Sequence, residues 1–308
     1  MSMKVLVTGA TGTIGFEVAR ALRRAGHRVY GLHRSAESAR RLEAAEIVPV
    51  RGDLGDLEAA SGAARECRVF VHAAMDGGPD AVALDRKAVE TLVRWTKTST
   101  RPSPRIVYTS GVWVYGPSGS EPVDEGSPLH PPDLVSWRPA HERLVLDAAE
   151  GHVGAIVLRP GCVYGGRGSL TSAWFESAAR RGAVEIVGDG KNRWSNVHLD
   201  DLADAYVRAA ESVLERGIVN VVGSTELVED MARAAARAAG VSEGVLSLPL
   251  EEARRTLGPL ADCLAMSQDV LSDKADRLFG WRPRHGAFTA GADLYHASWR
   301  AAAAQAGT

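Results

Sequence analysis

Cysteine is scarce in this sequence. Cys67, Cys162 and Cys263 are the only three among 308 residues. They show no metal-ligand spacing, and their odd number argues against a disulfide framework. Charge of one sign is also missing. The 36 basic and 38 acidic side chains give a formal net charge of −2, which leaves no electrostatic footprint for nucleic acid. No apolar run approaches the ~20 residues that a membrane-spanning helix needs. The chain opens without a charged stretch followed by an apolar one, so no signal peptide is expected. Repeats and low-complexity tracts are absent. Metal, nucleic acid and membrane therefore drop out as expected partners, and a soluble cytoplasmic protein, monomer or homodimer, is expected. Hydrophobic content of 45% and charged content of 24% are ordinary globular usage. The length suffices for one large α/β domain with an added lobe.

What the sequence does hold is concentrated near its start. Val5-Leu-Val-Thr-Gly-Ala-Thr-Gly-Thr-Ile-Gly15 reads as a short buried strand, a glycine-rich turn and a helix. Gly9 lets the chain turn sharply off the strand. Gly12 leaves no side chain where a diphosphate must approach the backbone, and Gly15 lets the helix pack close to the sheet. The free N–H groups and positive dipole end of that helix then suit a dinucleotide.

The first helix, over 16–25, ends at Gly26, and a second strand follows over 28–32. At the end of such a strand an acid accepts the ribose hydroxyls of NAD. Here stand His33, Arg34 and Ser35. Arg34 suits a 2′-phosphate bidentately, with donors from the other two. NADPH is therefore favoured, with NADH the alternative. After a third strand over 47–50, Asp53 is placed to accept the adenine amino hydrogens and Leu54 to cover the ring. From spacing alone Asp53 reads equally as a turn or helix-cap residue. The fourth strand runs into Ala73 and Ala74, small enough for backbone to pass under a cofactor.

Helices are expected over 81–98 and 139–149, strands over 105–109, 155–158 and 218–222, and a long loop over 117–133. A helix opens near 197–203 with Asp200 or Asp201 as its cap. The remainder is mostly helical, and the Ala-rich tail 301–308 is expected to fray. This rhythm implies an α/β fold: a doubly wound parallel Rossmann sheet with a smaller, mostly helical C-terminal lobe. Residues 1–165 form the dinucleotide domain, 196–222 return to it, and 166–308 form mainly the substrate lobe. Ligands are expected between the two, at the carboxyl ends of the strands.

Several motifs together resemble the extended short-chain dehydrogenase/reductase family, which includes sugar-nucleotide epimerases and dehydratases. They are Thr8-Gly-Ala-Thr-Gly-Thr-Ile-Gly15, Gly52-Asp-Leu54, His72-Ala-Ala74, Tyr108-Thr-Ser110 leading to Val114-Tyr-Gly116, Arg159-Pro-Gly-Cys-Val-Tyr-Gly165 and Val197-His-Leu-Asp-Asp-Leu202. The resemblance implies that Thr11, Thr13 and Ile14 lie along the diphosphate. Ala73, Ala74, Met75, Thr109 and Ser110 would line the cofactor's path, and Pro160, Gly161, Cys162 and Val163 would face the nicotinamide.

The departures from that pattern bear on chemistry. The family places a Ser or Thr four residues before the Tyr of Val-Tyr-Gly, and here that position is Gly111, with Ser110 one residue early. The family's Tyr-x-x-x-Lys falls on Trp137-Arg-Pro-Ala-His141. Trp137 replaces the Tyr and His141 the Lys. None of the six tyrosines has Lys four residues later. Sugar-nucleotide relatives carry an Arg shortly before the Val-His motif, where this chain has Trp194 with Arg193 beside it. Trp194, Trp113, Trp137, Trp174 and Met75, with Tyr115, Tyr164 and Arg193, are the candidate wall for a flat aromatic substrate, although several fit packing between the lobes equally.

Ser110 and His141 remain as candidate catalytic residues. Histidine's unperturbed pKa of ~6.5 suits an acid at neutral pH, but in the Lys position His141 would stand nearer the ribose than the carbonyl. A quinone-like or phenol-bearing ketone needs less help, because hydride addition yields a phenolate-like anion whose acid has a pKa of about 10. The chain is similar in this respect to ketoreductases that tailor aromatic polyketides, including angucyclinone reductases. The expected activity is thus an NAD(P)H-dependent ketoreductase whose proton comes from substrate or solvent. A non-catalytic NADP-binding redox sensor and a sugar-nucleotide epimerase or dehydratase are the alternatives.

Overall fold

The computed structural model describes residues 2–306 of the chain, except 167, 242 and 243. Its strands are β1 (Lys4–Thr8), β2 (Arg28–His33), β3 (Val48–Arg51), β4 (Val69–His72), β5 (Arg105–Thr109), β6 (Gly154–Pro160), β7 (Cys162–Tyr164), β8 (Val184–Val187), β9 (Arg193–His198), β10 (Arg216–Val221), β11 (Ser224–Leu227) and β12 (Val245–Leu248). Seven of them form one sheet in the order β10-β6-β5-β4-β1-β2-β3. Every pairing in it is parallel. Parallel strands need crossovers, and the helices that supply them cover both faces. This explains why β4 and β6 are buried along their whole length.

Helices α1 (Thr13–Arg24), α2 (Ala36–Ala44), α3 (Ser61–Ala64), α4 (Ala81–Lys97), α5 (Arg138–Leu146), α6 (Ser172–Arg181), α7 (Leu199–Glu211) and α8 (Val228–Ala239) alternate with the strands. Val18, Ala19 and Leu22 of α1 and Leu202, Tyr206 and Ala209 of α7 pack on Val5 and Val7 of β1 and Ile156 of β6. On the opposite face Ala88, Val89 and Leu92 of α4 and Val145 of α5 cover Leu6, Phe70 and Val157. The expected doubly wound parallel sheet is therefore the observed one. The strand order reverses between β1 and β4, which opens a crevice at their carboxyl ends.

The second lobe is less purely helical than expected. β7, β9 and β11 make a small sheet and β8 pairs with β12. α6, α8 and the last helix, Phe288–Ala306, bury Trp174, Phe175, Met231 and Phe288 against these strands. The chain thus leaves the main sheet at Pro160, crosses into this lobe, and returns through α7 and β10.

One local expectation needs correcting. Neither Asp200 nor Asp201 caps α7. His198 is the cap, and its ring accepts the Asp200 N–H at 3.1 Å. Asp201 is buried instead and accepts from the backbone of Arg284 and His285, so it ties the start of α7 to the last part of the chain. The Ala-rich tail belongs to the last helix, which runs to Ala306; Gly307 and Thr308 lie outside the described residues.

Candidate active site

The turn after β1 builds the first cleft. Gly9 has φ +69°, a left-handed conformation, and a Cβ there would lie 2.6 Å from the Cα of Ala74. A Cβ on Gly15 would overlap the Gly9 carbonyl. The close approach that Gly15 permits is therefore of α1 to the turn itself, not to the sheet. Gly12 caps α1 without any side-chain hydrogen bond, so the helix start is left open to the cleft.

The cleft has a volume of about 480 Å³. Gly9, Thr11, Gly12, Thr13 and Ile14 line it from the turn and α1, His33 and Arg34 from the end of β2, Asp53 and Leu54 after β3, and Ala73, Ala74 and Met75 after β4. Every one of these segments lies at the carboxyl end of a strand. Asp76, which the sequence reading missed, lines it too. Arg34 is largely exposed and lies 3.8 Å from Asp53 and 4.0 Å from Asp76. Asp53 also accepts the Gly55 N–H at 2.9 Å, so its turn role is real alongside its place in the wall. Ser35 is not in the wall. It caps α2, accepting the Ser38 N–H.

A second cavity of about 510 Å³ shares Thr13, Ile14 and Met75 with the first. Ser110, Gly111, Trp113, Pro160, Gly161, Cys162 and Val163 line one side, and Leu134, Val135, Arg138 and Leu170 another. Ser110 and Gly111 face the same space although adjacent. The side-to-side alternation of a strand stops at Thr109, where β5 ends, and a 3₁₀ turn over Val112–Tyr115 follows. The hydroxyl of Ser110 is buried and has no hydrogen-bond partner among the described residues. Burial pushes the Cys162 thiol up to about 12, so it is no nucleophile at neutral pH.

Of the expected aromatic wall, Met75 and Trp113 line this cavity and the others do not. Trp174 and Trp194 stack on one another with ring centroids 5.3 Å apart and are buried in the second lobe's core. Tyr115 is buried and donates to Asn220 Oδ1 at 2.8 Å. Tyr164 donates to the Gly286 carbonyl. Trp137 sits edge-on to His141 and donates to the Leu134 carbonyl. Arg193 extends to the Thr225 carbonyl, in a separate cleft. Composition does not separate these cases, because the same large rings serve a core and a ligand wall.

Behind the two cavities lies a buried chain of hydrogen bonds. His141 Nδ1 meets Asp85 Oδ2 at 2.6 Å, and His72 Nε2 meets Asp85 Oδ1 at 3.1 Å. Tyr108 donates to the same carboxylate at 3.0 Å, and Thr8 Oγ1 lies 2.6 Å from His72 Nδ1. Burial alone would raise Asp85, but the hydrogen bonds of His141 and His72 outweigh it and hold the carboxyl well below the ordinary carboxylate range. An ionised Asp85 only accepts, so His141 Nδ1 must carry a hydrogen. That leaves Nε2 as the free nitrogen of His141 among the described residues. Thr109, one of the expected cofactor residues, donates to the His72 carbonyl and meets the Tyr206 hydroxyl. It thus sits beside this chain rather than in either cavity wall.

His198, Asp200 and His285 approach one another closely enough to raise the question of a metal ion. His198 Nδ1 is already an acceptor and His285 Nδ1 is bonded to Asp201 at 3.0 Å. The two rings stack with centroids 3.6 Å apart. Burial, with His285 beside it, lowers the His198 pKa and keeps the ring neutral, so its other nitrogen carries the hydrogen and offers no lone pair. The group serves the start of α7.

The NAD dependent epimerase/dehydratase family model matches residues 5–222. An uncharacterized protein of Schizosaccharomyces pombe is 29% identical over 290 residues, 92% of this chain and 96% of the relative. A 3-diazoavenalumate denitrifying reductase from a Streptomyces species is 29% identical over 306 residues, 92% of this chain and 97% of the relative. Among solved structures, UDP-glucuronic acid 4-epimerase from Bacillus cereus, in complex with UDP-glucuronic acid and NAD, aligns with a TM-score of 0.81 at 19% identity. The alignment covers 97% of this chain and 100% of the other, a likeness of fold. No helix among the described residues is long and apolar enough to cross a membrane.

Proposed function

Because the chain belongs to the NAD dependent epimerase/dehydratase family, we propose that it is an NADPH-dependent reductase of a polycyclic aromatic, polyketide-like ketone. NADPH, when bound, supplies the hydride. The open start of α1 and the side-chain-free turn at Gly12 fit a diphosphate. Arg34 holds the 2′-phosphate, and the free Nε2 of His141 serves the nicotinamide ribose. NADH is the weaker donor.

One observation carries this reading: the second cavity adjoins the cleft, is mainly apolar, and has no tyrosine among the described residues of its wall. The substrate carbonyl lies there, and the proton comes from a neighbouring phenol or from water. A redox sensor can leave the hydride face closed, whereas here about 510 Å³ adjoins the cleft at Thr13, Ile14 and Met75. By the family resemblance, sugar-nucleotide relatives usually carry a diphosphate-gripping arginine shortly before the Val-His motif. The residue there, Trp194, is in the core, and Arg193 belongs to another cleft. The similarity to a Streptomyces reductase also favours reduction.

The test is NADPH oxidation with two ketones, a polycyclic aromatic bearing a phenol beside the carbonyl and a simple aliphatic one. Turnover of the aromatic alone is expected, and it should survive in His141→Ala with a raised KM for NADPH. Equal rates on both ketones, or none on the aromatic, count against the proposal. Replacing Arg34 by Ala is expected to weaken NADPH binding about tenfold, or ~1.4 kcal/mol, and to leave NADH binding unchanged. Equal losses for both cofactors would remove the assignment of the 2′-phosphate to Arg34.

A further inference from the structure

We infer that Arg138 and Ser110 form the site that stabilises the oxyanion of the substrate, a task for which the family would use a tyrosine. The inference rests on the ketoreductase reading and deepens it. Arg138 is the one charged side chain among the described residues that line the second cavity. Its guanidinium donates to the Thr109 carbonyl at 2.9 Å, directly before Ser110, and to Met75 Sδ at 3.4 Å. It lies over the Trp137 ring at 4.6 Å. None of these partners is an acid. Asp85 feels its charge, but the Asp85 oxygens are taken by His141, His72 and Tyr108.

With no carboxylate partner among the described residues, this cation faces a mainly apolar space. Beside it is a buried serine hydroxyl with no partner among the described residues. Buried polar groups are normally paired, and an orphan hydroxyl in a cavity wall marks the place where a ligand supplies the partner. A permanent cation and an O–H donor on one wall match one kind of ligand atom, an anionic oxygen on a flat apolar body. Low dielectric and fixed donors make such a pair effective as charge develops.

The chemistry balances without an acidic side chain. The hydride and its electron pair come from the reduced nicotinamide, which leaves oxidised. A C–H bond forms at the carbonyl carbon, the C=O π bond breaks, and its pair moves to oxygen. Arg138 and Ser110 hold the resulting alkoxide or phenolate until water or a neighbouring substrate phenol delivers the proton. Arg138 contributes charge and N–H donors to this step, and no proton is taken from it.

The experiment separates binding from turnover. Calorimetry measures the affinity of 2,4-dinitro-1-naphtholate, an ionised mimic of the oxyanion, and of neutral 1-tetralone. Arg138→Gln is expected to weaken naphtholate binding at least about tenfold and to change tetralone binding less than about twofold, with Arg138→Lys restoring part of the loss. Single-turnover hydride transfer to the phenol-bearing ketone should fall about 100-fold in Arg138→Gln, the loss typical of one oxyanion donor. Ser110→Ala removes an unpaired group, so its melting temperature should not fall while the transfer rate does. This keeps the idea testable if the arginine variant folds poorly. Naphtholate binding that ignores both substitutions overturns the proposal. If naphtholate binding depends on Arg138 but no aromatic ketone is reduced, the anion site stands and the ketoreductase reading fails.

Discussion

Glu142→Ala should destabilise the protein by about 3–5 kcal/mol, the cost of leaving a buried charge without its partner. Glu142 of α5 and Arg159 of β6 are both nearly inaccessible, at 2% and 1% exposure. Arg159 Nε donates to Glu142 Oε1 at 2.9 Å, and a second nitrogen donates to Oε2. The remaining arm of the guanidinium donates to the Tyr115 hydroxyl at 2.8 Å, which in turn donates to Asn220 of β10. Burial would lower the Arg159 pKa, but Glu142 outweighs it and raises the value. Truncating the acid removes that compensation and leaves the guanidinium in a dry site. Equilibrium urea unfolding measures the loss. The double variant Glu142→Leu with Arg159→Met should recover most of it, because paired apolar side chains avoid the desolvation cost. A loss below about 1 kcal/mol in the single variant would place the pair with ordinary surface ion pairs. The residue after Arg159 is Pro160, in the wall of the second cavity. The double variant therefore also asks whether this network holds the wall in shape: stability regained with activity still lost would say that it does.

Tyr115 in that network shows where sequence reasoning stops. Its motif is local and legible, but its partner on β10 is 105 residues away. The glycine turn was readable because Gly12 and Gly15 are constrained by Gly9, a few residues away, although the approach of Gly9 to Ala74 is not local. The inner strands followed because apolar runs such as β4 and β6 are buried along their whole length and read as strands on their own. The segments lining the first cleft were readable because each follows a strand end. Asp85 was not. It sits within α4, where an acid normally reads as a solvated charge, and becomes the acceptor for His141 only because α4 packs against α5. The direction of Ser110 is not legible either, because β5 ends at Thr109 and the alternation of a strand says nothing about the residue after it. Trp174 and Trp194 have the residue type a ligand wall requires, and only their burial and mutual stacking in the second lobe assign them to the core.

Gly12→Val is expected to weaken NADPH binding at least about 100-fold, or ~3 kcal/mol, with little change in the unfolding midpoint of the apoprotein. Gly12 has φ −83° and ψ 176°, ordinary extended backbone that valine adopts freely. A Cβ there would meet only the Gly9 carbonyl, at 3.4 Å, an ordinary contact. The fold thus tolerates the side chain. The cleft does not, because the branched methyls occupy the approach to the open start of α1, where the diphosphate is proposed to lie. Gly9→Val makes the contrast. Its positive φ and the 2.6 Å approach to Ala74 forbid a side chain whatever is bound, so this variant should lose stability first and binding as a consequence. Fluorescence titration with NADPH, beside thermal melts of both variants without cofactor, separates the two effects. If Gly12→Val bound NADPH like the unmodified protein, the first cleft would not be the dinucleotide site, and the assignments of Arg34 and of the second cavity would fall with it. If it lost binding while melting normally, the glycine would be required for the ligand and not for the fold.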